Sequence, residues 1–209
     1  MPARPAGVLD PETERRFEEG VRFTGEFHMG ESNVHQALAQ LAQRLASLDI
    51  PYAIVGALAL NAYGVRRATV DVDILLAPEG LRRFKEAALG RGYVERLPGG
   101  RGLRDTAHGV DVDIVVTGEY PGDGREKPVA FPDPAECAVR GDSFSLVPLP
   151  LLVDLKIASG MTARHRLRDL ADVIELIRAN DLAREFGDRL SPYVQAKFVE
   201  LWNAAQEAG

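Results

Sequence analysis

The sequence predicts an α/β fold: a twisted mixed β-sheet with flanking helices and a C-terminal helical section. Three observations predict it. The run YAIVGALALNAYGVRRATVDVDILL, Tyr52 to Leu76, reads as an apolar strand stopping at Gly56, a small-residue helix and a second strand. A second β-branched run, HGVDVDIVV from His108 to Val116, repeats the D-V-D of the first. From Leu149 onward the apolar residues recur at helical spacing. The expected sheet has about five strands with helices on one face.

Taken in order, residues 1–10 are rich in Pro and Ala and read as mobile. Glu12 to Glu19 is charged around Phe17 and reads as a short surface helix, while Val21, Phe23, Gly25 and Phe27 alternate as in a short strand or ordered arm. Ser32 or Asn33 can cap a helix over Val34–Leu48, whose apolar positions are Val34, Leu38, Leu41, Leu45 and Leu48. Asp49-Ile50-Pro51 ends it and leads into the strand Ala53–Val55, the helix Ala57–Tyr63 and the strand Val70–Leu76. Pro78 opens a helix to about Gly90 with Leu81, Phe84 and Ala88 inward. Strands follow at Gly92–Leu97 and Leu103–Ala107 around Pro98-Gly99-Gly100, then the second D-V-D strand.

Residues 117–142 repeat Gly, Pro and Asp and read as a long loop, a length that suggests a role over a substrate. Phe144–Val147 reads as a last short strand. Helices are expected over Leu149–Ser159 and Arg164–Ala179, the second with Leu167, Leu170, Val173, Ile174 and Ile177 inward. One or two closing helices follow, the last from Ser191-Pro192. The expected organisation is an N-terminal, partly flexible arm (1–33), a core (34–147) and a C-terminal helical section (148–209).

Composition narrows the function. The chain has 209 residues, a net charge of −6 and 45% apolar residues, enough for a buried core and a weak argument against broad nucleic-acid coating. No run of about 18 apolar residues is present, and a secretory signal is not expected, so the reading is cytoplasmic with no membrane partner. The single Cys137 excludes an internal disulfide framework and a Cys-based zinc site. His28, His35, His108 and His165 have no metal-ligand spacing.

The chemistry lies in the acidic strands. Asp71 and Asp73 are two residues apart, so their side chains share one face of the strand, about 7 Å apart. Like charges on a buried strand repel, and loss of water makes each harder to ionise. A divalent cation relieves both effects, and carboxylate oxygens suit Mg²⁺. Asp111 and Asp113 repeat the arrangement, and either can complete a three-carboxylate site. A lone D-V-D is commonly a solvated edge pair; two of them inside apolar strands favour the site. Asp113 is preferred because it directly precedes Ile114-Val115-Val116, as Asp73 precedes Ile74-Leu75-Leu76, whereas Asp111 lies nearer the Gly109 turn.

These residues together resemble the DNA polymerase β-type nucleotidyltransferase superfamily, whose pattern is a Gly-Gly or Gly-Ser turn, D-x-D on the next strand and a further acidic residue on a later one. Here the turn is Gly56-Ala57 and the approach is Arg67-Ala68-Thr69-Val70-Asp71-Val72-Asp73, a wording that looks most like small bacterial AbiEii-toxin-like nucleotidyltransferases. The resemblance spans roughly residues 34–180. Ala57 replaces the usual Ser or Gly, leaving nucleotide contact there to backbone N–H groups.

The resemblance implies a nucleotidyltransferase core and an Mg²⁺-dependent enzyme (Mn²⁺ the alternative) that moves an NMP from an NTP to a hydroxyl or phosphate acceptor. The acceptor is tRNA, protein or a small molecule, and an antitoxin protein is an implied partner. Asp71, Asp73 and Asp113 are then catalytic and metal-binding; Gly56, Ala57, Arg67, Lys156 and Asp169 bind nucleotide. Lys156 is implied to touch the triphosphate, so its substitution is expected to weaken nucleotide binding and spare the fold. The alternatives are a catalytically inactive nucleotide- or RNA-binding module and a structural partner in a toxin–antitoxin type complex.

Overall fold

The computed structural model describes residues 7–27, 31–141 and 143–207. The N-terminal residues 1–6, read as mobile from sequence, and His28 lie outside the described residues. Gly7 and Leu9 instead pair with Arg140, through Arg140 N–H to Gly7 O at 2.9 Å and Leu9 N–H to Arg140 O at 2.7 Å.

Helix α1 (Pro11–Phe27) replaces both the short helix and the strand expected at Val21–Phe27. The helix expected over Glu12–Glu19 continues through that segment, and its Phe17 is buried against Phe144 with ring centroids 5.0 Å apart. Helix α2 (Glu31–Ser47) begins ahead of Asn33, which is therefore no cap; its side-chain amide donates to His108 O at 3.2 Å. Then follow β1 (Tyr52–Ile54), α3 (Gly56–Ala62), β2 (Asp71–Leu76), α4 (Pro78–Ala88), β3 (Tyr93–Glu95), β4 (Leu103–Asp105) and β5 (Val110–Val116). The expected long loop contains a short helix, α5 (Pro134–Cys137), and leads to β6 (Val139–Arg140) and β7 (Ser145–Leu146). Helix α6 (Leu149–Thr162), a 3₁₀ turn over Arg164–Arg166, α7 (Leu167–Ala179), a second 3₁₀ segment over Arg184–Arg189 and α8 (Pro192–Glu207) complete the chain.

The sheet is mixed and seven-stranded, in the order β3-β4-β5-β2-β1-β7-β6. Of these, β6 is only two residues long, too short for any periodicity to register, and β7 lies within the strand expected over Phe144–Val147. Helices cover both faces, not one. Ile54, Val72, Ile74, Leu76, Val112 and Ile114 pack under α2 and α4, whereas Ala53, Val55 and Leu75 pack under α6, α7 and α8. The unbroken Ile74-Leu75-Leu76 is what a strand covered on both faces requires.

Helix α6 is not amphipathic. Leu152, Val153 and every residue from Leu155 to Gly160 are buried, because the helix is wedged between the sheet, α7 and α8. In α7, Leu167 is exposed, while Asp169 and Asp172 are buried. The inward face of its first turns is thus polar. No helix among the described residues is long and apolar enough to cross a membrane.

Candidate active site

β2 and β5 run parallel and in register, Asp71 opposite Asp111 and Asp73 opposite Asp113. Alternation then puts all four carboxylates on one face, with strands about 4.8 Å apart. It is the face of Leu75, toward α6 and α7, so the acidic cluster opens where the C-terminal core ends. A cleft of about 620 Å³ lies there, and Gly56, Ala57, Arg67, Asp71, Asp73, Asp113, Lys156 and Asp169 all line it. Asp111 does not. A cleft of similar size, about 660 Å³, lies around His35, Tyr52 and Arg140 and contains none of these carboxylates.

Gly56 explains how Asp73 is seated. Its φ is +64°, and a methyl group built on it would lie 2.0 Å from Asp73 Oδ2. The carboxylate occupies the space a side chain would take, and the left-handed backbone adds a cost of about 1–2 kcal/mol for any L-residue. Gly56→Ala is therefore expected to lower stability by about 2 kcal/mol, read from a melting curve.

Burial, with Asp71 and Asp113 beside it, pushes the Asp73 carboxyl up to about 6, despite the opposing pull of Lys156 and Arg166. Thr69 Oγ1 donates to Asp71 Oδ1 at 2.5 Å. Arg96 holds Asp113 Oδ1 at 2.6 Å and Asp111 Oδ2 at 3.2 Å, and Arg104 takes Asp111 Oδ1 at 2.7 Å. Asp71 thus has Thr69, and Asp111 and Asp113 share Arg96; among the described residues no three His, Cys, Asp or Glu side chains converge as they stand into a metal-holding group. The donor set nevertheless fits a hard divalent cation. It consists of carboxylate oxygens on two registered strands, and the central one, Asp73, is deficient in positive charge.

The opposite wall is a buried ionic network. Lys156 Nζ donates to Asp169 Oδ1 at 3.0 Å and Asp172 Oδ2 at 2.7 Å. Arg67 pairs with Asp172, so Arg168 does not form the i,i+4 pair that sequence spacing offers. Ser159 and Arg166 hold Asp169 Oδ2 at 2.7 and 2.8 Å. Burial opposes ionisation of Asp169, but Lys156, Ser159 and Arg166 outweigh it and hold the carboxyl below its ordinary value. The buried Asn61 braces the Arg67 loop, its amide donating to Arg67 O at 3.0 Å and its carbonyl accepting Arg67 N–H at 2.7 Å.

Sequence reasoning left Thr69, Arg96, Asn61 and Ser159 unassigned. Thr69 had a signal, as part of the R-x-T-x-D-x-D stretch; the other three act through contacts 6 to 17 residues away. His108 does not join the cleft; its Nδ1 meets the buried Asp105 Oδ2 at 2.5 Å. The third wall is apolar. Tyr120, Pro121 and Phe131 of the long loop face the cleft beside Val115, Leu152 and Leu155.

No family model matches the chain. No curated protein matches it. Among solved structures, it is similar to the STING-associated CdnE c-di-GMP synthase from Capnocytophaga granulosa, at 15% identity and a TM-score of 0.32, over 80% of this chain and 58% of that one.

Proposed function

We propose that the chain is a nucleotidyltransferase that moves an NMP from an NTP to a hydroxyl or phosphate acceptor, with Mg²⁺ or Mn²⁺ held by Asp71, Asp73 and Asp113. The observation that carries this reading is one cleft with three chemically distinct walls: registered carboxylates, a buried cationic network and an apolar surface. An NTP in Mg²⁺ complex has the matching three parts.

In this reading the acceptor oxygen forms a bond to the α-phosphorus, the bond from that phosphorus to the bridging oxygen breaks, and pyrophosphate leaves. The bound cation supplies charge neutralisation at the phosphates and lowers the pKa of the attacking hydroxyl. Lys156 uses two of its three ammonium protons on Asp169 and Asp172, and the third is left for a phosphate oxygen. Arg67, oriented by Asn61 and Asp172, and Arg166 add positive charge on the same wall. Tyr120 and Phe131 offer the base an aromatic surface. Arg168 and His165 line the same cleft, and the Arg168 guanidinium suits a phosphorylated acceptor such as an RNA end.

The second reading, a nucleotide-binding module without transfer, is favoured by the unconverged carboxylates. Two measurements separate the readings. Each NTP with Mg²⁺ or Mn²⁺ is expected to raise the melting temperature by about 5–10 °C at a hundredfold excess over Kd. Label from one NTP is expected to appear on an acceptor in total RNA or lysate. Thermal stabilisation with no transferred label supports the module, and no stabilisation by any of the four nucleotides overturns both.

A further inference from the structure

We propose that Arg96 is a built-in competitor for the cation at Asp113, so that metal loading requires the guanidinium to let go. This rests on the nucleotidyltransferase reading of the cleft. Arg96 follows β3, and its two terminal nitrogens reach Asp113 at 2.6 Å and Asp111 at 3.2 Å. The β3–β4 hairpin is shaped for this reach. Arg96 N–H donates to Gly102 O at 3.0 Å, and a methyl group on Gly102 would come within 2.9 Å of Arg96 Nε, so the guanidinium lies across a position kept clear of side chain.

The two carboxylates it touches are not equivalent. Asp111 has a second arginine, Arg104 at 2.7 Å, and does not line the cleft. Asp113 lines the cleft and turns toward Arg96, which accounts for the failure of the three carboxylates to converge. A guanidinium and a divalent cation on the same carboxylate repel each other, so occupancy by one weakens the other. The Arg96–Asp113 pair is 38% and 39% exposed, and a pair so open to water is weak enough for a divalent cation to displace.

The test is titration of the full chain with Mn²⁺, without nucleotide, by calorimetry and electron paramagnetic resonance. Arg96→Met is expected to tighten Mn²⁺ binding about fivefold. Arg96→Lys, which keeps a charge at this position, and Arg104→Met, which releases only Asp111, are expected to stay within about twofold of the parent. Unchanged or weaker binding in Arg96→Met overturns the inference and makes Arg96 a mere support for Asp113. Absence of Mn²⁺ binding in the parent protein instead overturns the metal-dependent reading of the cleft, and this inference with it. A second readout needs no substitution: the Arg96 side-chain NMR resonance is expected to move on addition of Mg²⁺, and a resonance that stays fixed while metal binds also refutes the exchange.

Discussion

Asp73→Asn is expected to abolish nucleotide transfer and, at pH 8, to raise the melting temperature of the metal-free protein. Loss of activity follows from its central place among the carboxylates and from its seat over Gly56. The gain in stability follows from its carboxyl being raised from 3.8 to about 6 by burial, Asp71 and Asp113. Two units correspond to at most about 3 kcal/mol of penalty on the charged folded form, or at most roughly 6–12 °C for a chain of this size.

The sign follows from the two protonation equilibria. Above about pH 6 Asp73 is ionised in both folded and unfolded chains, and the folded one bears the full penalty. As pH falls from about 6 toward 4 the folded form takes up its proton first and the penalty disappears. The advantage of Asp73→Asn should therefore be full at pH 7–8, fade as pH falls through about 6 and be gone below about pH 4. A variant that melts below the parent at pH 8 would show that Asp73 is already compensated.

The same transfer assay decides between the two residues of β5. Asp113→Asn should be inactive because Asp113 lines the cleft; Asp111→Asn should keep substantial activity because Asp111 lies outside it, between two arginines. A dead Asp111→Asn beside an active Asp113→Asn reverses the assignment.

Lys156→Ala is expected to destabilise the protein by about 3 kcal/mol, a fall of roughly 6–12 °C in melting temperature. This corrects the expectation that substitution there spares the fold. Lys156 is only 9% exposed and bridges two buried carboxylates. Without it Asp172 keeps Arg67, and Asp169 keeps Arg166 and Ser159, so each loses one of its charged partners in a setting where water cannot replace it. Adding Asp172→Asn to Lys156→Ala should recover part of the loss by removing a buried carboxylate that has lost one of its two cationic partners. If Lys156→Ala melts with the parent yet loses nucleotide affinity, the ammonium is a solvated phosphate contact and the network does not depend on it.

The sequence by itself determined the acidic strands, the Gly56 turn ahead of them and the α/β class. Each is encoded within a few neighbouring residues: side-chain alternation puts Asp71 beside Asp73, and the run of Val, Ile and Leu buries the strand that carries them. The closing helices were legible for the same reason, since helical spacing and Ser191-Pro192 are local signals. Only the tertiary structure decided how those pieces meet. Pairing of β2 with β5 in parallel register, across some 40 residues of intervening chain, turns two separate D-V-D runs into one four-carboxylate face. The helical continuation of α1, the coverage of both sheet faces and the burial of Asp169 and Asp172 were also decided there, because each depends on what packs alongside and not on the residue's own neighbours. The partners of the charged groups belong to the same class. A sequence shows that Arg96, Lys156 and Asp172 are charged, but an ion pair between residues 16, 17 or 105 positions apart is set by the fold that brings them within reach.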